Sequence, residues 1–319
     1  MNANICIIHT YWGSLPPWFP HFIMSCKYNR DIDFMVFTDV VQENKREENV
    51  QYYPFSITDF NKLSSRKLEL NITIDDPYRV CDLKPAFGHI FEDYLQGYAF
   101  WGYCDNDLIF GDIRKFVTGD ILDKYDIIST YQGFMSGPFA IFRNRQDVVT
   151  LYKKNDVYRQ IFTGTGSCAG FDENIIRKDN EGIHFRKFLL FCLFLLKNPA
   201  IRRLFSQFSE WRYQFQWAYK KYRLGLQIPV DMTEIVWQAE KVTGLKASFR
   251  ELLISDAYYE RIRKYHWKLE WKQGHLYKLP ENTEILGFHL FHCKKNKDFA
   301  CSRIHDTIQS FWISAKSIN

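Results

Sequence analysis

The sequence predicts an α/β fold with a mostly parallel central sheet flanked by helices, and three observations predict it. Short apolar runs of strand length alternate with segments whose apolar residues recur at three- and four-residue spacing. That alternation implies strands joined by helical crossovers, hence a largely parallel sheet covered on both faces. Polar or acidic residues follow directly on several of the runs, and ligands in such sheets bind beyond the carboxyl ends of the strands.

The elements follow in order. Residues 4–10 read as a buried strand, and Gly13, Pro16 and Pro17 then force a loop. Residues 18–28 read as a helix, 33–38 as a second strand ending at Asp39, and 50–53 as a third. Residues 58–71 and 83–96 read as helices, the latter from the spacing of Phe87, Ile90, Phe91 and Tyr94. Residues 98–103 form a short aromatic strand running straight into Asp105-Asn106-Asp107. Two more strands are expected at 126–131 and 137–142, and a loop rich in glycine and small residues at 163–170 precedes Phe171-Asp172-Glu173. Strand patterns return at 265–279, and the segment 285–295 carries His289, His292, Lys294 and Lys295. No internal repeat or low-complexity stretch is visible.

At 319 residues the chain has room for a sizeable core, as one large domain or two small ones. The hydrophobic share of 46% and charged share of 25% are ordinary for a globular protein, whereas the aromatic share of 18% is high. Aromatic excess suits stacking on sugars or bases, but such rings mostly fill cores. The net charge of +5 fits anionic ligands such as nucleotide diphosphates or acidic lipid headgroups, and gives no argument for nucleic acid. None of the eight cysteines forms a CxxC pair, which speaks against a zinc ribbon or redox motif. Free thiols, with no basic leader or cleavage site at the start, lead us to expect a cytoplasmic protein.

Residues 185–223 differ from the rest. The apolar run 188–196 is flanked by Arg186, Lys187 and Lys197, and basic residues continue among aromatics to Arg223. Nine apolar residues are too few to span a bilayer. Two readings stay open: a buried helix pair inserted into the domain, or an amphipathic platform on the anionic inner membrane face.

Asp105 and Asp107, one residue apart after a hydrophobic strand, can offer oxygen ligands to one Mn²⁺ or Mg²⁺. Such an ion bridges protein carboxylates to substrate phosphates and neutralises a diphosphate leaving group. Asp-x-Asp alone is common as a solvated loop, but here apolar residues flank it on both sides. His289 and His292 are candidate further metal ligands, His289 the favoured one, with Lys294 and Lys295 placed to neutralise a diphosphate. The plain alternative is that each histidine satisfies a core hydrogen bond. Asp172 and Glu173 are a candidate acid/base pair for an acceptor hydroxyl, although adjacent acids also occur in ordinary surface turns. Lys84 could contact phosphate or be a first-turn surface residue. Thr10, Tyr11, Gly13 and Asp39 lie at strand ends, where a nucleoside would bind.

These residues carry a resemblance. Tyr11-Trp12-Gly13, Pro17-Trp18-Phe19, Ser25-Cys26 and Asp33–Asp39 resemble a bacterial family of GT-A-fold glycosyltransferases, long carried as a domain of unknown function. So do Cys81-Asp82-Leu83-Lys84-Pro85-Ala86-Phe87-Gly88 and the stretch from Phe100 through Asp105-Asn106-Asp107 to Ile113. The resemblance covers roughly residues 4–175 and, more loosely, the final His/Lys cluster. It implies a GT-A-like, Rossmann-related sheet and a nucleotide diphosphate sugar donor. It also implies a divalent metal on Asp105 and Asp107, and a glycan or lipid-linked glycan acceptor in capsule or lipopolysaccharide synthesis. The His289–Lys295 cluster is similar to the terminal element of retaining GT-A enzymes, where histidine binds the metal, but the Gly-x-x-Lys-Pro-Trp ending is absent. On this reading residues 1–180 form the nucleotide-sugar-binding core, 181–230 a basic helical insertion, and 231–319 a C-terminal part completing the same domain. An Asp/Glu base points to inversion and the His/Lys ending to retention, and both stay open. Two rivals remain: a nucleotidyl- or phosphotransferase using the same acids, and a non-catalytic carbohydrate-binding protein on the same fold.

Overall fold

The structure is a computed structural model that describes residues 3–41, 43–166, 168–173, 231–255, 267–304 and 309–319. Within these, the chain runs β1 (Ile5–Tyr11), β2 (Ile32–Thr38), β3 (Lys45–Glu47), β4 (Val50–Pro54), β5 (Phe100–Cys104), β6 (Leu108–Phe110), β7 (Ile127–Ser129) and β8 (Phe139–Arg143). It continues with β9 (Ala247–Phe249), β10 (Leu253–Ser255), β11 (Lys268–Lys272), β12 (His275–Leu279), β13 (Thr283–Ile285) and β14 (Gly287–His289). The last strands are β15 (Ala300–Cys301), β16 (Ser310–Ser314) and β17 (Ser317–Ile318).

The main sheet has the order β3-β4-β2-β1-β5-β8-β7-β9. Pairing is parallel from β4 through β2 and β1 to β5, and again between β7 and β9. β8 lies antiparallel to both β5 and β7, and β3 forms an antiparallel edge on β4. Consequently β1, β2, β4, β5, β7 and β9 all end at one edge of the sheet, and β8 begins there. This is the α/β architecture expected from the sequence.

Alternation along the strands divides the core. Ile8, Phe37, Trp101 and Tyr103 face one side, packed with Phe60 of helix Ile57–Leu68 and Ile235 of helix Met232–Thr243. Ile5, Ile7, Phe34 and Val36 face the other, against Phe22 and Ile23 of helix Phe19–Lys27. The largest fully buried side chains are aromatic, so much of the aromatic excess is core; burying each ring contributes about 2–3 kcal/mol. Helix Ile57–Leu68 starts at a capping box, Ser56 and Asp59 satisfying each other's backbone N–H, and ends at left-handed Glu69.

The helix expected over 83–96 does not form as one. Residues Pro77–Ala86 wind as a 3-10 segment, followed by one short α-turn, Phe87–Ile90, and then by turns. Pro85 has no N–H to give an α-ladder, so the chain uses tighter geometry there. Phe87, Ile90 and Phe91 are nonetheless buried, as their spacing predicts. Gly88 is needed beneath them, because a Cβ there would lie 2.3 Å from the Trp101 indole.

Two smaller sheets complete the fold: β10-β14-β6, and β13-β12-β11-β16-β17-β15. Trp271 on β11 donates its indole N–H to the Phe110 carbonyl at 2.9 Å, pinning the second of these to the strand after Asp107. The cysteines among the described residues are free thiols. No helix among them is long and apolar enough to cross a membrane. Residues 185–223, where the sequence leaves two readings open, lie outside the described residues.

Candidate functional site

Asp105–Asp107 leaves β5 at the shared strand-end edge. Its backbone is fixed from two directions: the Asp105 N–H donates to the Pro138 carbonyl at 2.9 Å, and the Leu290 N–H donates to the Asp107 carbonyl at 2.8 Å. The second contact extends the antiparallel pairing of β6 with β14, in which Leu108 faces His289. That register carries His289 across 182 positions of sequence to the acid, its Nε2 lying 3.3 Å from Asp107 Oδ2.

Asp105, Asp107 and His289 form one donor group, each offering an atom within 4.8 Å of the others. Ligands around one Mg²⁺ or Mn²⁺ lie about 3–4 Å apart, so small adjustments would let all three share an ion. Asp107 is buried, and its Oδ1 has no hydrogen-bond partner among the described residues. A buried carboxylate oxygen in that state is costly, and a cation would satisfy it. The donor set and the orphaned oxygen both fit a hard divalent ion.

Two lysines neutralise the acids. Lys294 forms a close ion pair with Asp107 Oδ2, and Lys84 pairs with Asp105 Oδ1 at 2.7 Å. Burial opposes charge on Asp107, but His289 and Lys294 overcome it and hold the carboxyl far below its usual range. Burial likewise works against both ammonium groups, and the neighbouring acids, Asp107 for Lys294 and Asp105 for Lys84, instead keep them protonated.

Lys84 also reaches the second acid cluster, donating to the Gly137 carbonyl at 2.9 Å and lying 3.3 Å from Asp172 Oδ2. All three ammonium hydrogens thus have internal acceptors. Lys84 is a buried link between Asp105 and Asp172, not the exposed first-turn residue allowed by the sequence. Burial pushes the Asp172 carboxyl up to about 8, and Glu173 beside it adds to the rise while Lys84 opposes it. Glu173 is also raised, first by burial. Lys84 sits closer to Asp105 than to Asp172, at 2.7 Å against 3.3 Å. Both carboxylates rest against Gly137, where a Cβ would sit 2.8 Å from Glu173 and 3.0 Å from Asp172.

The nucleoside candidates occupy the neighbouring strand ends of the same edge. The Gly13 N–H donates to Asp39 Oδ1 at 3.0 Å, with Gly13 at a φ of +90° that disfavours side chains. The Tyr11 hydroxyl donates to the Ser14 carbonyl at 2.7 Å, and Thr10 pairs with Phe37 in the sheet. The structure does not bring Lys295 to the acids: it is exposed, with its ammonium 4.0 Å over the Phe291 ring. His292 begins the turn Cys293–Lys295, edge-on to Phe291, and is not in the three-residue donor group.

Four residues with evident roles escape sequence reasoning. Asp82 is fully buried and accepts the backbone N–H groups of Ala169 at 2.8 Å and Phe171 at 2.9 Å, fixing the approach to Asp172. An acid set between Val80 and Leu83 is the signal that could have found it. His9, a polar residue inside an apolar strand, donates Nδ1–H to the Cys104 carbonyl at 3.0 Å, and burial keeps it neutral. Tyr131 follows the end of β7 and reaches His289 Nδ1 at 3.2 Å. Gly137 gives no signal in the sequence, because its role depends on what folds against it.

The fold and this donor set define an α/β protein with a candidate divalent-metal centre at the strand-end edge of its main sheet. The chain belongs to a family of unknown function, DUF6625, which matches residues 7–319. No curated protein matches it. Among solved structures it is similar to the galactosyltransferase LgtC in complex with donor and acceptor sugar analogues, at 8% identity and a TM-score of 0.37, covering 90% of this chain and 87% of that one. It is also similar to the glycosyltransferase GlyE of Streptococcus pneumoniae TIGR4, at 12% identity and a TM-score of 0.28, covering 82% and 73% respectively. Both likenesses are distant, and neither speaks to the activity of this chain.

Proposed function

We propose that the protein is a metal-dependent glycosyltransferase that moves a sugar from a nucleotide diphosphate donor to a glycan or lipid-linked acceptor in surface glycan synthesis. The observation that carries this reading is the convergence of Asp105, Asp107 and His289 at the strand-end edge, with Asp107 Oδ1 lacking a hydrogen-bond partner among the described residues. Mn²⁺ or Mg²⁺ held there would neutralise charge on a diphosphate leaving group.

The chain's own residues divide the remaining work. Lys294 is partly exposed beside Asp107 and can place positive charge against a phosphate oxygen. Asp39, Gly13 and Tyr11 are positioned for the nucleoside along the same edge. Buried Asp172 and half-buried Glu173 offer a carboxyl pair whose raised proton affinity suits general acid/base exchange with an acceptor hydroxyl. Lys84 keeps that pair in register with Asp105. Residues 185–223 keep both readings, a buried helix pair or a platform that would bring the enzyme to a lipid-linked acceptor at an anionic inner membrane face. Sedimentation with anionic liposomes at low salt separates them.

The test is incubation with Mn²⁺ and a panel of nucleotide sugars, UDP-sugars first, while nucleotide release is measured. Release that depends on the metal and disappears in Asp105→Ala and Asp107→Ala supports the reading. The absence of both turnover and binding across the whole panel would overturn it.

A further inference from the structure

We infer that Tyr131 is the positioning residue of the metal centre: its hydroxyl holds the His289 ring so that Nε2 faces the site shared with Asp105 and Asp107. This rests on the metal reading above and assigns a role to a residue that touches no carboxylate of the donor group.

The geometry divides the two ring nitrogens. His289 Nε2 lies toward Asp107 Oδ2 at 3.3 Å, while Nδ1 meets the Tyr131 hydroxyl at 3.2 Å. A histidine that gives one nitrogen to a metal must carry its hydrogen on the other, and an acceptor for that hydrogen fixes both tautomer and ring orientation. With Nε2 on a cation, Nδ1–H donates to the Tyr131 oxygen.

Tyr131 can serve this purpose because its backbone is over-determined. The Ser129 hydroxyl donates to the Phe134 carbonyl at 2.7 Å and accepts from the Ser136 N–H at 3.0 Å, closing the loop on which Tyr131 sits. Thr130 donates its hydroxyl to the Phe139 carbonyl at 2.7 Å, and its own carbonyl accepts from the Leu252 N–H at 3.1 Å. Tyr131 pairs with Phe134 across a bridge, and their rings lie 5.2 Å apart. The tyrosine therefore comes from a rigid turn at the end of β7, whereas His289 comes from β14 in another sheet. A support held independently of its ligand can impose orientation on it.

The test is Tyr131→Phe, which keeps the ring and its packing and removes only the oxygen. Binding of Mn²⁺ alone is followed by the electron spin resonance of the free ion, without substrate or turnover. We expect the affinity to fall about 10- to 100-fold in Tyr131→Phe. Adding Tyr131→Phe to His289→Ala should cause no further loss, because there is no ring left to orient. Wild-type affinity in Tyr131→Phe, or an equal loss in the His289→Ala background, would overturn the inference while leaving the metal reading intact. Absence of Mn²⁺ and Mg²⁺ binding in the wild-type protein would overturn both.

Discussion

Replacing Asp82 by alanine should loosen the segment that delivers Asp172 and Glu173, although Asp82 itself touches neither. Its carboxylate is fully buried and accepts the N–H groups of Ala169 and Phe171, with the Cys168 thiol a weaker third donor at 3.3 Å. Hydrogen bonds to a charged group contribute about 1.5–3 kcal/mol each, so two backbone bonds amount to about 3–6 kcal/mol gross. Relief from burying the charge offsets part of this, leaving a net loss of about 2–4 kcal/mol. Urea unfolding followed by tryptophan fluorescence reads that loss as a lower midpoint at unchanged slope. Turnover should fall further than stability explains under folding conditions, because the acid pair loses its fixed approach. Asp82→Asn keeps the volume but turns an N–H group toward one of the donors, so it should also be destabilised. A change below about 0.5 kcal/mol with normal turnover would refute the reasoning, since two orphaned buried N–H groups cannot be that cheap.

Other outcomes follow from the same geometry. Asp172, raised to about 8, keeps its proton in the folded state over a range where the unfolded chain has lost it. Stability should therefore fall as pH rises from about 4 to about 8, by up to about 1.4 kcal/mol per unit, and Asp172→Asn should flatten that slope in thermal melts. If Asp172 acts as the base, kcat/KM should climb over the upper part of that range and level off above about pH 8. Gly137→Ala forces a methyl against both carboxylates and should cost about 1–3 kcal/mol in denaturant melts, with a clear loss of turnover. Lys294→Met should lower kcat/KM for the donor about 10- to 100-fold, the contribution of one charge-assisted contact.

Strands β1, β2, β5, β7 and β8 were legible because each is a compact apolar run, and Asp39 and Asp105–Asp107 follow such runs directly. β3, made of Lys45-Arg46-Glu47, carries no such run and was not expected, nor were β9, β10 and β15–β17. The donor histidine was legible as a residue type near lysines, with His289 favoured over His292, but the sequence held no reason that fixes the choice. It depends on the pairing of β14 with β6, which places His289 opposite Leu108 and leaves His292 in the next turn. The 83–96 segment shows the limit of periodicity: the buried residues are those expected, but Pro85 removes the N–H an α-helix needs there. Lys84, Tyr131 and Gly137 acquire their roles from partners far away in sequence, which local patterns do not encode. Asp82 was the missed opportunity, since a carboxylate amid buried apolar neighbours has to find donors.

The central claim is that Asp105, Asp107 and His289 hold the metal that receives a nucleotide diphosphate. Anomalous diffraction from crystals soaked with Mn²⁺ and UDP tests it most directly. The account predicts a manganese peak bounded by oxygens of Asp105 and Asp107 and by His289 Nε2, with the diphosphate beside it and Lys294 turned toward phosphate. A peak elsewhere, or none with Lys84 and Lys294 still paired to the two aspartates, would contradict it.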